Sequence, residues 1–149
     1  MNKEELKNIL INILNHLNVE AELDIDQETE NFYNVRLDGD NLSFLIGYHG
    51  KTLDAFQHLV NLIIFNQSNS EVHINLDINE YKERRKEKTH EITKKFIDKV
   101  RFFDKEIHMD PMTAWERKQV HMFIGEYPDI EDESVGERDE RHIVLRKRK

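Results

Sequence analysis

Two of the five glycines fall within four residues, Gly47-Tyr48-His49-Gly50, directly before Lys51 and an apolar run. Glycine reaches backbone conformations closed to other residues and lets a second backbone come close. The amides that open a following helix lack intrahelical acceptors and carry a partial positive charge, and Lys51 adds a full one. This is chemistry for holding a phosphate; the plain alternative is a turn between two helices. A second pattern, Arg-x-x-x-His, occurs at Arg117/His121 and at Arg138/His142. Within a helix, residues four apart share a face at about 5–6 Å, so a guanidinium and an imidazole can meet one phosphate. In an extended segment the same spacing separates them by about 13 Å. The first pair falls in a stretch with helical patterning and the second spans a loop and a strand start, so Arg117 and His121 are the candidates.

Other chemistries find little support. With no cysteine there are no disulfides, thiolate metal sites or cysteine nucleophiles, which fits a reducing, cytoplasmic setting. His16, His49, His58, His73, His90, His108, His121 and His142 show neither zinc-protease nor finger spacing, so no metal is expected. No serine lies in a nucleophile elbow and no Walker-type loop is present, so neither catalysis nor a cofactor is expected. The first twenty residues mix Lys3, Glu4, Glu5 and Lys7 with apolar residues, which argues against a membrane segment. Charge divides unevenly along the chain. Residues 1–80 hold four basic and fourteen acidic residues, a net −10, whereas the remainder holds 18 basic and 16 acidic, a net +2. Phosphate attraction is therefore expected mainly in the second part.

The elements that must position these residues follow from periodicity. Leu6, Ile9, Leu10, Ile13, Leu14 and Leu17 form one helical stripe. Ala21, Leu23 and Ile25, then Tyr33, Val35 and Leu37, alternate as two half-buried strands. A short turn over 41–46, the Gly47–Gly50 loop, a helix over 52–65 and a strand through Val72, Ile74, Leu76 and Ile78 complete a first module, expected over 1–79. Residues 79–103 lack Gly and Pro and place Ile92, Phe96, Val100 and Phe103 at helical spacing, with Lys82, Arg84 and Arg85 among many exposed cations. Asp110-Pro111 reads as a helix start for a segment running to Ile124. An acidic loop over 129–133, a strand at Ile143 and Leu145, and a frayed basic tail over 146–149 end a second module, expected over 80–149. The fold class is α+β, as two small layered modules. Trp115 is expected in the core.

The string Leu45-Ile46-Gly47-Tyr48-His49-Gly50-Lys51-Thr52-Leu53-Asp54-Ala55 resembles the GXXG loop and following helix of a type II KH domain. With the helical, charged second module it resembles the Jag/KhpB family of bacterial RNA-binding proteins, in which a KH domain precedes a domain named for an Arg-x-x-x-His pair, written RxxxH. Ser134-Val135-Gly136-Glu137 and Arg141-His142-Ile143-Val144-Leu145 resemble that family's closing segment. The resemblance implies a KH-like order α-β-β-α-α-β followed by an RxxxH-like order α-β-α-β. It implies single-stranded RNA as partner, held at its backbone by Gly47, Tyr48, His49, Gly50 and Lys51 beside a groove walled by Ile46. It places Arg117, His121 and Arg141 on a phosphate-binding surface; for Arg141 an ion pair with Glu137 is the alternative. It implies a role in post-transcriptional regulation, with single-stranded DNA as the alternative ligand, a small KH-only protein as partner, and no N-terminal Jag domain; the rival reading makes the acidic first half a protein-interaction module, for a second copy of the chain or another partner. Family members often carry a basic residue where Tyr48-His49 stands, so weak binding is expected from the acidic half alone, with Tyr48 available to stack on a base.

Overall fold

The Leu6, Leu10 and Leu14 stripe buries one face of α1 (Lys3–His16), whose start is closed by a reciprocal cap: Glu5 N–H donates to Asn2 Oδ1 at 2.9 Å and Asn2 N–H to Glu5 Oε2 at 3.0 Å. The computed structural model describes residues 1–149, which divide into two compact units, Met1–Lys82 and Glu83–Lys149. No helix is long and apolar enough to cross a membrane.

In the first unit β1 (Glu22–Thr29) and β2 (Phe32–Asp38) pair antiparallel, and β3 (His73–Ile78) joins β2 in parallel at the sheet edge. A parallel neighbour requires a crossover. It is made by α2 (Ser43–Ile46), a single 3₁₀ turn at Tyr48–Gly50, and α3 (Lys51–Ser68). Leu53, Phe56, Val60 and Ile64 of α3 and the α1 leucines cover Tyr33, Val35, Leu37, Ile74, Leu76 and Ile78 of the sheet. The order α-β-β-α-α-β is the one implied by the resemblance.

The second unit contains most of α4 (Tyr81–Phe103), then β4 (Ile107–His108), α5 (Ala114–Ile124), β5 (Ile130–Val135) and β6 (His142–Lys147), with sheet order β4-β6-β5, all antiparallel. Its core joins Ile97 and Val100 of α4, Val120 and Ile124 of α5, and Ile130, Ile143 and Leu145 of the sheet. The fold is α+β in both units. The structure departs from four expectations. The acidic segment 129–133 is largely strand, giving α-β-α-β-β instead of α-β-α-β. Arg146 and Lys147 belong to β6 and are not a frayed tail: Arg146 donates to Glu131, Glu133 and Glu106 at 2.8, 3.0 and 3.3 Å. The N-cap of α5 is Thr113, not Asp110, in a second reciprocal cap with Glu116. On α4 the buried face is Thr89, Thr93, Ile97 and Val100, while Phe103 is exposed. The threonines bury because each hydroxyl donates to the carbonyl four residues earlier, at 2.8 and 2.7 Å.

Candidate nucleic-acid interface

The glycine corner of the first unit is built from left-handed backbone. Gly47, His49 and Gly50 have φ of 70°, 52° and 77°, a sequence of conformations that L side chains resist. Close approach adds a second reason for the glycines. A Cβ at Gly47 would overlap Thr52 Oγ1, and one at Gly50 would fall 2.9 Å from Tyr81 Cε1. Gly50 is buried, so it shapes the corner from behind while Gly47, Tyr48 and Lys51 face outward. Tyr48 is 75% exposed, stacked on the His49 ring at 4.1 Å, with Lys51 Nζ 5.9 Å from the Tyr48 ring centroid. Helix α3 begins at Lys51 with no side chain capping its first turn. The Gly50 and Lys51 amides are already bonded, to the Gly47 and Tyr48 carbonyls, so what the corner offers a ligand is a cation and an aromatic face on exposed backbone, with Ile46 half-buried beside it.

In the second unit the start of α5 and the start of β6 bring Arg117 and Arg141 together. Arg117 Nη1 donates to the Met112 carbonyl at 2.6 Å, Met112 N–H donates to the Arg141 carbonyl at 3.2 Å, and Arg141 Nη1 donates to the Gly136 carbonyl at 2.8 Å. The expected alternative for Arg141, an ion pair with Glu137, is thus replaced by a bond to a neutral carbonyl. Burial, and next the charge of Arg141, pull the Arg117 guanidinium below its ordinary pKa, against the attraction of Glu116. It remains a cation, since arginine does not lose its proton in proteins. One turn along α5, His121 is 72% exposed and its Nδ1 lies 2.9 Å from Oδ2 of Asp132, itself only 11% exposed. Asp132 fixes the imidazole with Nδ1–H inward and Nε2 outward. Trp115, expected in the core, is half-buried and lies outside the apolar cluster of this unit.

Two contributors escape a reading of the sequence. Asp132 lies in the segment read as loop; as a strand, it points Asp132 inward while Glu131 and Glu133 hold Arg146 on the outer face. Glu116, 1% exposed, holds Arg85 of α4 through Oε1 and the Thr113 amide through Oε2, so Arg85 is not the solvated cation it resembles. The Thr-x-x-Glu spacing of a helix cap was the available signal.

A glycine corner between two helices of an α-β-β-α-α-β unit, followed by an α+β unit with Arg and His one turn apart on a helix, defines the class: a KH domain joined to an RxxxH domain. Residues 3–78 match the KhpA/KhpB KH domain and residues 87–147 match the RxxxH domain. The chain is 32% identical over 148 residues to RNA-binding protein KhpB of Clostridium symbiosum, covering 96% of this chain and 67% of that one. Against proteins of the same name it is 29% identical to that of Lactiplantibacillus plantarum, covering 94% of this chain and 43% of the relative. The protein of Bacillus subtilis is 30% identical over 80% of this chain and 58% of its own. The chain belongs to the KhpB family, and it spans from two fifths to two thirds of these relatives' lengths.

Proposed function

We propose that this protein binds single-stranded RNA without performing chemistry on it, in the cytoplasm, in post-transcriptional regulation. The Gly47-Tyr48-His49-Gly50-Lys51 corner takes the sugar-phosphate backbone, and Arg117, His121 and Arg141 take further phosphates. The observation that carries the reading is the pairing of Arg117 with Arg141. In a chain with 30 acidic residues against 22 Lys and Arg, these two guanidiniums lie near enough to repel, and each donates to a backbone carbonyl. Other arginines differ: Arg36 holds Asp38, Arg101 holds Asp129 and Arg146 holds three glutamates. A cationic pair with no carboxylate at ion-pair distance is what a phosphate would neutralise. The relatives named RNA-binding proteins support RNA over DNA, and matched RNA and DNA oligomers in one titration decide between them.

Salt dependence tests the electrostatic part. With about four phosphates neutralised, log affinity should fall against log salt with a slope of about −2.8, at roughly −0.7 per phosphate for a single strand. A slope near zero would contradict phosphate binding. One observation favours an additional protein contact. A groove of about 630 Å³ between α1 and α3 is lined by Ile9, Ile13, Leu45, Phe56, Leu59 and Ile63, with Leu59 and the nearby Leu62 and Phe65 about half exposed. A small KH-only protein or a second copy of the chain would cover it, and association insensitive to both salt and RNA would be its sign.

A further inference from the structure

The cations of the first unit are few: Lys3, Lys7, Arg36, Lys51 and Lys82. Arg36 is held by Asp38 and Glu80 at 2.8 and 3.5 Å. Lys82 is different in kind. It lies beyond the matched KH segment, at the second position of α4, yet it packs within the first unit. Its half-buried ammonium donates to Asn75 Oδ1 at 2.7 Å and to Gln57 Oε1 at 3.1 Å. An ammonium carries three donors. The third has no acceptor within the protein, and no carboxylate lies at ion-pair distance. Burial lowers the Lys82 pKa, with Asp77 and Asp54 opposing that shift from farther off. A cation drawn out of water onto two neutral oxygens is costly, and a ligand that uses the remaining donor would account for it.

Its neighbours say which ligand. Tyr81, the preceding residue, lies against Gly50, so Lys82 is one residue removed from the back of the glycine corner. Around the ammonium the lining is polar, with two carboxylates at its margin, Asp54 and Asp77, the latter accepting from the Lys82 amide at 3.2 Å. Gln57 accepts from Leu76 N–H at 2.8 Å, and Asn61 both accepts from Ile74 N–H and donates to Ile74 C=O, at 2.8 and 3.2 Å. Asp54 shares this face of α3, spaced three and seven residues before Gln57 and Asn61, and its carboxylate opposes a phosphate there. The edge of a nucleobase, neutral and rich in acceptors, suits the surroundings.

We propose that Lys82 completes the nucleic-acid site of the first unit: braced on Gln57 and Asn75, it donates its third N–H to an acceptor on the edge of a base whose backbone rests at Gly47–Lys51. The proposal rests on the loop reading given above and adds base discrimination to it.

The test titrates the full chain with U, A and C homo-oligomers of single-stranded RNA, as wild type, Lys82→Met and Tyr48→Asp/His49→Asp, with circular dichroism showing each folded. Lys82→Met should lose about tenfold in affinity for the preferred homopolymer, less for the others, with the salt slope unchanged. Where Lys82→Met melts early, Lys82→Ala, which also removes the donor, is read for the same narrowing of preference. A slope shallower by about 0.7 would make Lys82 a phosphate contact and overturn the proposal. So would wild-type affinities for all three oligomers while the loop variant loses binding. A folded loop variant that binds like wild type overturns the loop reading itself, and the proposal with it.

Discussion

Replacing Arg117 and Arg141 together by alanine is expected to weaken single-stranded RNA binding by about a hundredfold or more while leaving the fold intact. Each guanidinium removed takes with it a charge-assisted contact of roughly 1.5–3 kcal/mol. The salt slope should become shallower by about 1.4, two phosphates at roughly 0.7 each. Stability should change little, by about 1 kcal/mol or less. The carbonyl bonds to Met112 and Gly136 are lost, but so is the mutual repulsion that burial sharpens. Arg146→Ala is the contrasting control. Its guanidinium is committed to Glu131, Glu133 and Glu106, so its removal should leave both the affinity and the slope near wild type. Equal losses in the two variants would mean that general charge, and not this site, governs binding.

Glu116→Ala is expected to be the most damaging single change to the second unit, at about 3–5 kcal/mol, the usual cost of stranding one member of a buried ion pair. The carboxylate is 1% exposed, and one oxygen serves Arg85 of α4 while the other closes the first turn of α5. Glu116→Gln should lose less, because a carboxamide oxygen can still accept from the Thr113 amide. The readout is convenient. Trp115 is the one tryptophan in the chain and lies in this unit, so its fluorescence in urea reports the second unit's transition separately from the first. A transition unmoved in Glu116→Ala would mean that Glu116 does not tie α4 to α5.

The helices and strands with a single apolar rhythm were legible in the sequence. The leucines of α1, the Tyr33, Val35, Leu37 alternation of β2 and the inward face of α3 needed only period counting, because apolar and polar residues there divide cleanly between faces. Where polar residues are buried, the rhythm misleads. Thr89 and Thr93 hide their hydroxyls on the helix's own carbonyls, so the buried face of α4 is rotated away from the one that Phe96 and Phe103 indicate. In β5 the acids carry the alternation themselves: Glu131 and Glu133 face Arg146, while Asp132 turns inward to His121, and no apolar signal marks the strand. The glycine corner was legible because positive φ selects glycine locally. The meeting of Arg117 with Arg141, and of Lys82 with Gln57, depends on contacts between residues more than twenty apart in the chain, which spacing does not encode.

If one unpaired RNA strand is received by the glycine corner and by the arginine pair, both must respond when it binds. The most direct measurement is an NMR titration of the isotopically labelled full chain with a short single-stranded RNA, following backbone amides together with arginine Nε–H resonances. Saturable shifts are expected at Tyr48, His49 and Lys51 and at the side chains of Arg117 and Arg141, with Arg146 still. Shifts confined to the α1–α3 groove, or to Arg146 and the outer sheet face, would contradict it.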